Sequence, residues 1–112
     1  WDTPLIEKMS QLLGKELVRN EIDSLLGPGL NIHRNPLNGR NFEYFSEDPL
    51  LTGKLCAAQL KGFEKVGVIG TIKHFCANNQ EQNRSNWKDG SSNSQRICRS
   101  WNHWNYETLC LQ

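Results

Sequence analysis

Ser24-Leu25-Leu26-Gly27-Pro28-Gly29-Leu30-Asn31-Ile32-His33, running into Arg34-Asn35-Pro36-Leu37-Asn38-Gly39-Arg40, is the stretch from which the fold is read. Leu25, Leu26, Leu30 and Ile32 form a short apolar run broken by Gly27-Pro28-Gly29, which predicts a strand with an irregular start. Residues 34–48 are polar and aromatic, punctuated by Pro36 and Gly39, and predict a long loop. Upstream, Asp2 and Thr3 before Pro4 predict a helix start, since a side-chain oxygen caps free N–H groups and proline suits the first turn. Leu5, Met9, Leu12, Leu13 and Leu17 then recur at helical spacing, with Glu7, Lys8, Lys15, Glu16 and Arg19 opposite them. This predicts an amphipathic helix packed through its apolar stripe and ending near Asn20 to Asp23. Downstream, Asp48-Pro49 repeats the capping signal, and Leu51, Leu55, Ala58 and Gly62 mark the buried side of a second helix. Gly67 to Ile72 reads as a buried parallel strand.

The order helix, strand, loop, helix, strand, loop argues for right-handed βαβ units and an α/β architecture with parallel strands. The polar, aromatic stretches follow the strands, which is where α/β folds place ligand sites. At 112 residues the chain is too short for a closed eight-stranded barrel of roughly 250 residues.

Net charge is +1 with histidines neutral and both signs mixed along the chain, so there is no electrostatic footprint for nucleic acid or an anionic membrane. No apolar run approaches the ~20 residues that span a bilayer. The chain begins at Trp1 without a methionine or a recognisable leader, which is expected of a processed chain or a fragment. Of the four cysteines, Cys56, Cys76, Cys98 and Cys110, none forms a C-x-x-C pair. Cys98, His103 and Cys110 could be imagined as three metal ligands. Buried or free thiols in a reducing, cytoplasmic compartment read better, with disulfides left open by the even count. Residues 85–112 change character, carrying Trp87, Trp101 and Trp104 among many Ser and Asn residues. Ile97, Trp101 and Trp104 fit one face of a short helix.

Two stretches carry a family likeness. One runs from Gly27-Pro28-Gly29-Leu30-Asn31-Ile32-His33 through Asn38-Gly39-Arg40-Asn41-Phe42-Glu43-Tyr44-Phe45-Ser46-Glu47-Asp48-Pro49. The other is Lys73-His74-Phe75-Cys76-Ala77-Asn78-Asn79-Gln80-Glu81, continuing to Arg84. Long, ordered and correctly spaced, they resemble the N-terminal barrel of glycoside hydrolase family 3 in its β-glucosidase branch. The β-N-acetylglucosaminidase relatives carry Pro-Gly-His-Gly after Lys-His-Phe, where this chain has Cys76-Ala77-Asn78-Asn79. The resemblance implies a fold that is part of a (β/α) barrel over residues 1–84, with 85–112 a divergent tail. It implies a small saccharide or β-glucoside as partner and hydrolysis of terminal β-D-glucosyl residues, with no cofactor and no metal.

In that family the positions matching Arg40, Lys73, His74 and Arg84 line the subsite for the non-reducing-end sugar. A neutral pyranose offers hydroxyls, so its pocket needs directional donors and acceptors beside an apolar wall. Each residue also has a plainer reading. Arg40 can pair with Glu43 or Glu47, Lys73-His74 can be a solvent-facing pair at a strand end, and Arg84 a surface arginine. His33 reads as a packing or loop-bonding histidine, and Glu43, Glu47 and Asp48 as loop ion pairs or caps rather than acid/base groups.

A retaining hydrolase needs two carboxyl groups ~5–5.5 Å apart. The family's nucleophile is an aspartate on a later strand and its acid/base comes from a following domain, so the resemblance supplies neither here. Ser85-Asn86-Trp87 arrives too early and has Asn where a carboxylate is needed. Two alternatives stay beside this reading. One is an independent small enzyme whose site, from Lys73, His74, Glu43 or Asp89, is assembled across an oligomer. The other is a non-catalytic carbohydrate-binding module using Trp87, Trp101 and Trp104. Open strand edges and apolar helix faces are expected to be covered by copies of the chain or by the rest of a split enzyme.

Overall fold

The computed structural model of the chain describes residues 1–74. It contains helix α1 (Thr3–Arg19), strand β1 (Ser24–Leu25), helix α2 (Pro49–Glu64) and strand β2 (Ile69–Gly70), with a single 3₁₀ turn at Asn41–Glu43 in the long loop. Both helices start where the capping signals lie. The Asp2 carboxylate accepts the Leu5 N–H at 3.0 Å, and Asp48 accepts that of Leu50 at 2.8 Å, each just ahead of a proline in the first turn. α1 stops at Arg19, and the Asn20 side-chain amide donates to the Glu16 carbonyl at 2.8 Å. That is the end expected from sequence.

β1 and β2 pair in parallel, Ser24 with Ile69 and Leu25 with Gly70, and α2 is part of the connection between them. The hydrogen bonds reach further than the regular strands. Ile69 N–H donates to the Asp23 carbonyl, Thr71 to Leu25 and Lys73 to Pro28, each at 2.9–3.0 Å, and Leu30 donates to Lys73 at 2.6 Å. Between the Leu25–Gly70 and Gly29–Lys73 pairings, three residues on the first strand face two on the second. The extra residue is a bulge, with the Leu25 carbonyl also accepting the Gly27 N–H at 3.0 Å. Pro28 has no N–H to give the ladder, so the irregular start expected of this strand has a physical cause. The same bulge divides the strand expected across residues 24–33.

Leu30, Ile32 and Cys56 are buried together, with Phe45 and Ile72 against them. From α2, Leu55, Ala58, Gly62 and Phe63 are buried, matching the side expected, and Leu51 is half-buried. Cys56 is buried and free; Cys76, Cys98 and Cys110 lie outside the described residues, as does the whole segment 85–112 with its expected short helix. No described helix is long and apolar enough to cross a membrane.

α1 corrects the sequence expectation. Its buried residues are Ser10 and Gly14, not the leucine stripe. A Cβ on Gly62 would lie 2.5 Å from the Glu7 carbonyl oxygen and 2.6 Å from Ser10 Cβ, so the two helix backbones approach closely through small residues. Glu7, expected on the solvent face, is half-buried and pairs with Lys65. Leu5, Met9, Leu12 and Leu13 stay exposed, at 52, 56, 60 and 40%. On a 3.6-residue wheel the two faces lie roughly a third of a turn apart, with Ile6 and Leu17 half-buried in the overlap.

Candidate functional site

The site forms beyond the carboxyl ends of β1 and β2, where α/β folds gather ligand groups. The loop after β1 is shaped by its asparagines. Asn35 Oδ1 accepts the Leu37 N–H at 2.9 Å, Asn41 Nδ2 donates to the Asn35 carbonyl at 2.8 Å, and Asn38 Nδ2 donates to Asn41 Oδ1 at 3.2 Å. Its base is closed by His33 N–H donating to the Ser46 carbonyl at 2.9 Å. The 3₁₀ turn then lays Glu43 and Tyr44 against the end of β2. Gly29 bridges to both Tyr44 and Lys73, and a Cβ there would lie 2.2 Å from the Glu43 carbonyl oxygen and 2.8 Å from Tyr44 Cδ1. Only glycine permits this approach.

Two adjacent loop residues thereby hold two adjacent residues of the strand end. The Glu43 carboxylate receives Arg40 Nε on Oε1 and Lys73 Nζ on Oε2, the latter at 2.5 Å. Burial alone would raise the Glu43 carboxyl; the hydrogen bonds and charges of Lys73 and Arg40 outweigh it and hold the group below its ordinary 4.5. Tyr44 is buried, and its hydroxyl hydrogen-bonds His74 Nδ1 at 2.9 Å, the two rings meeting edge-to-face. The Tyr44 carbonyl bonds His33 Nε2 at 3.0 Å. Beside the cluster an apolar groove of about 530 Å³ runs between α1 and β1, past Met9, Leu13, Leu26, Pro28 and Phe42.

Of the four residues singled out from sequence, Arg40 and Lys73 converge on one carboxylate and His74 sits next to them on Tyr44. Arg84 lies outside the described residues, as does Asp89. Arg40 does take the plainer partner expected of it, Glu43, and the same partner also binds Lys73. Lys73 and His74 are half-buried, not a solvent-facing pair. His33 bonds the loop and Asp48 caps α2, as expected. The sequence does not single out Tyr44, and it offers Glu43 as a loop ion-pair partner or, in the independent-enzyme alternative, as a site carboxylate. The Arg40/Glu43 spacing of three was a usable signal, whereas nothing local ties Tyr44 to a histidine thirty residues on.

The arrangement can present charged and polar donors to hydroxyl oxygens. Glu43 is ionised at neutral pH and engaged on both oxygens, so it has no proton to give as a general acid. That weakens the reading of an independent enzyme built on Glu43. Among the described residues no group of His, Cys, Asp and Glu side chains is placed to hold a metal ion.

Comparison with known proteins agrees with the α/β fold. The family described as Glycosyl hydrolase family 3 N terminal domain matches residues 1–109. A beta-glucosidase of Ruminococcus albus is 68% identical over 80 residues, covering 71% of this chain and 8% of that protein. Thermostable beta-glucosidase B of Acetivibrio thermocellus is 52% identical over 84 residues, covering 75% of this chain and 11% of that protein. Among solved structures, beta-glucosidase 3B from Thermotoga neapolitana in complex with alpha-D-glucose aligns with a TM-score of 0.72 at 51% identity, over 74% of this chain and 12% of that one. A beta-glucosidase from Paenibacillus barengoltzii aligns at 0.69 and 62% identity, over 71% and 9%. The chain thus spans about a tenth of the length of the relatives it matches.

Proposed function

The chain belongs to glycosyl hydrolase family 3 through its N-terminal domain, and we propose that it is the sugar-holding part of a β-glucosidase-type hydrolase acting on terminal β-D-glucosyl residues. The observation that carries this is the convergence of Arg40 and Lys73 on Glu43, with His74 set beside them by Tyr44, beyond the ends of two parallel strands. Arg40 and Lys73 donate N–H bonds to hydroxyl oxygens of the glucosyl unit, and His74, fixed through Nδ1, offers its other ring nitrogen. Arg84, outside the described residues, is assigned to the same subsite by the family resemblance alone. The likeness to proteins named beta-glucosidase supports a β-glucoside as substrate.

Retaining hydrolysis also needs a nucleophile and an acid/base carboxyl. Two carboxylates of the loop are committed: Glu43 to two cations and Asp48 to the start of α2. The pair that cleaves the bond belongs outside them.

We propose that residues 1–84 are the barrel-derived segment and 85–112 a divergent tail. The likeness to the named relatives, over 80 and 84 residues, supports that boundary, while the family match running to residue 109 counts against a sharp break. The exposed apolar stripe of α1 supports self-association or docking with the remainder of a split enzyme.

The test is titration of the chain with D-glucose by NMR, beside hydrolysis of p-nitrophenyl β-glucoside, for wild type and a Lys73→Ala, His74→Ala double variant. Weak saturable binding lost in the variant, with no hydrolysis above it, is the expected result. Equal binding by both proteins would remove the subsite. Hydrolysis by wild type alone would mean a complete site with carboxylates elsewhere in the chain.

A further inference from the structure

Arg40 and Lys73 carry like charges, yet both reach one carboxylate. The three side chains are 23, 28 and 14% exposed for Arg40, Lys73 and Glu43, so water screens them only in part. Without the carboxylate, a guanidinium and an ammonium would face each other at a half-buried opening, an arrangement that recognises carboxylates and phosphates. With it, one positive charge of the pair is cancelled, and Arg40 Nε and Lys73 Nζ are both held on the carboxylate. A neutral pyranose gains nothing from excess positive charge but needs donors that hold still.

We infer that Glu43 is a positioning and specificity-determining residue, fixing Arg40 and Lys73 as donors for a neutral glycosyl unit and cancelling the charge that would otherwise favour an anionic sugar. The inference rests on the sugar-subsite reading and deepens it by assigning the substrate's charge class. It also accounts for the position of Glu43 on the 3₁₀ turn. From there its two oxygens face the loop cation on one side and the strand-end cation on the other. Discrimination arises here as much from making the wrong ligand unwelcome as from contacts to the right one.

The experiment compares the 112-residue chain with its Glu43→Gln and Glu43→Asp variants. D-glucose and D-glucuronate are titrated into each and followed by ¹H–¹⁵N NMR at neutral pH, with folding checked by circular dichroism. In Glu43→Gln the Kd for glucose is expected to rise about tenfold and that for glucuronate to fall about tenfold, from loss of the charge-assisted bonds and of the cancelling charge. Glu43→Asp keeps the wild-type order of preference with a smaller shift. Adding Arg40→Gln to Glu43→Gln removes one cation and returns glucuronate to wild-type weakness. A folded Glu43→Gln with an unmoved glucose-to-glucuronate ratio overturns the inference. If that variant does not fold, Glu43→Ala takes its place, and a folded Glu43→Ala with an unmoved ratio overturns it equally.

The two readings fail separately. A wild-type chain blind to glucose whose Glu43→Gln variant gains glucuronate removes the sugar subsite and leaves the charge cancellation standing. Wild-type glucose binding with an unmoved ratio does the reverse.

Discussion

Gly29 is the residue on which the site turns, because the loop and the strand end both lean on its bare Cα. Gly29→Ala forces a methyl into the Glu43 carbonyl, and we expect a loss of about 1–3 kcal/mol, at the upper end for a contact to backbone. Thermal unfolding measures the loss, and NMR shift changes confined to Glu43, Tyr44, Lys73 and His74 would locate it. Glu43 titrates below its ordinary 4.5, so the native state binds fewer protons there than the unfolded chain. Its contribution is complete above about 4.5 and drains away as pH falls below that value. Glu43→Gln should flatten that acid limb of the stability curve, and a limb unchanged in the variant would assign it to other carboxylates. Burial pushes the Cys56 thiol up to about 12. At pH 8 the folded chain should therefore show at least one fewer fast-reacting thiol than its total of four, recovered on denaturation.

At the scale of elements, the helix starts were legible because a cap is a local device: Asp2 and Asp48 act on N–H groups two and three residues away. Asp48→Ala should cost about 1 kcal/mol, read from the denaturation midpoint at constant m. The face α1 buries was not legible. An apolar stripe is visible within seventeen residues, but α2 presents Gly62, and the turn after it Val66, to Ser10 and Gly14, so the small-residue face wins the contact. Gly62→Leu, which would drive a side chain into the Glu7 backbone and Ser10, should destabilise by about 3 kcal/mol or more. The parallel strands were expected, but β2 is not the buried strand read across Gly67 to Ile72: its regular pairing is confined to Ile69–Gly70 and Ile69 is 65% exposed. The register of the strands was not legible, since the bulge at Gly27-Pro28 is defined only against Thr71 to Lys73. The same division holds for the site. Arg40 and Glu43 lie one turn apart and can be paired by eye, while Tyr44 and His74 meet only through the fold.

For the whole molecule, the feature with the widest reach is the uncovered side of α1, where Leu5, Met9 and Leu12 are each more than half exposed, flanked by Leu26 and Phe42 at 71 and 85%. Apolar surface of this extent favours association. Sedimentation should show concentration-dependent association that Met9→Lys with Leu12→Glu suppresses while leaving the α1–α2 contact intact. Strictly monomeric behaviour of wild type at high concentration would remove self-association from the proposal. The parallel pairing carries a consequence in time as well as in space. Every ladder bond joins residues 23–30 to residues 69–73, and the Tyr44–His74 contact spans thirty residues. None of these can form until the intervening chain has closed, an entropic cost that local helix formation does not meet. α1 and α2 can begin winding early from their own caps, whereas Lys73 and His74 reach Glu43 and Tyr44 only as the chain completes its folding. The Glu43–Lys73 and Tyr44–His74 cluster is thus a late event, and its NMR signals should emerge with the last, global phase of refolding.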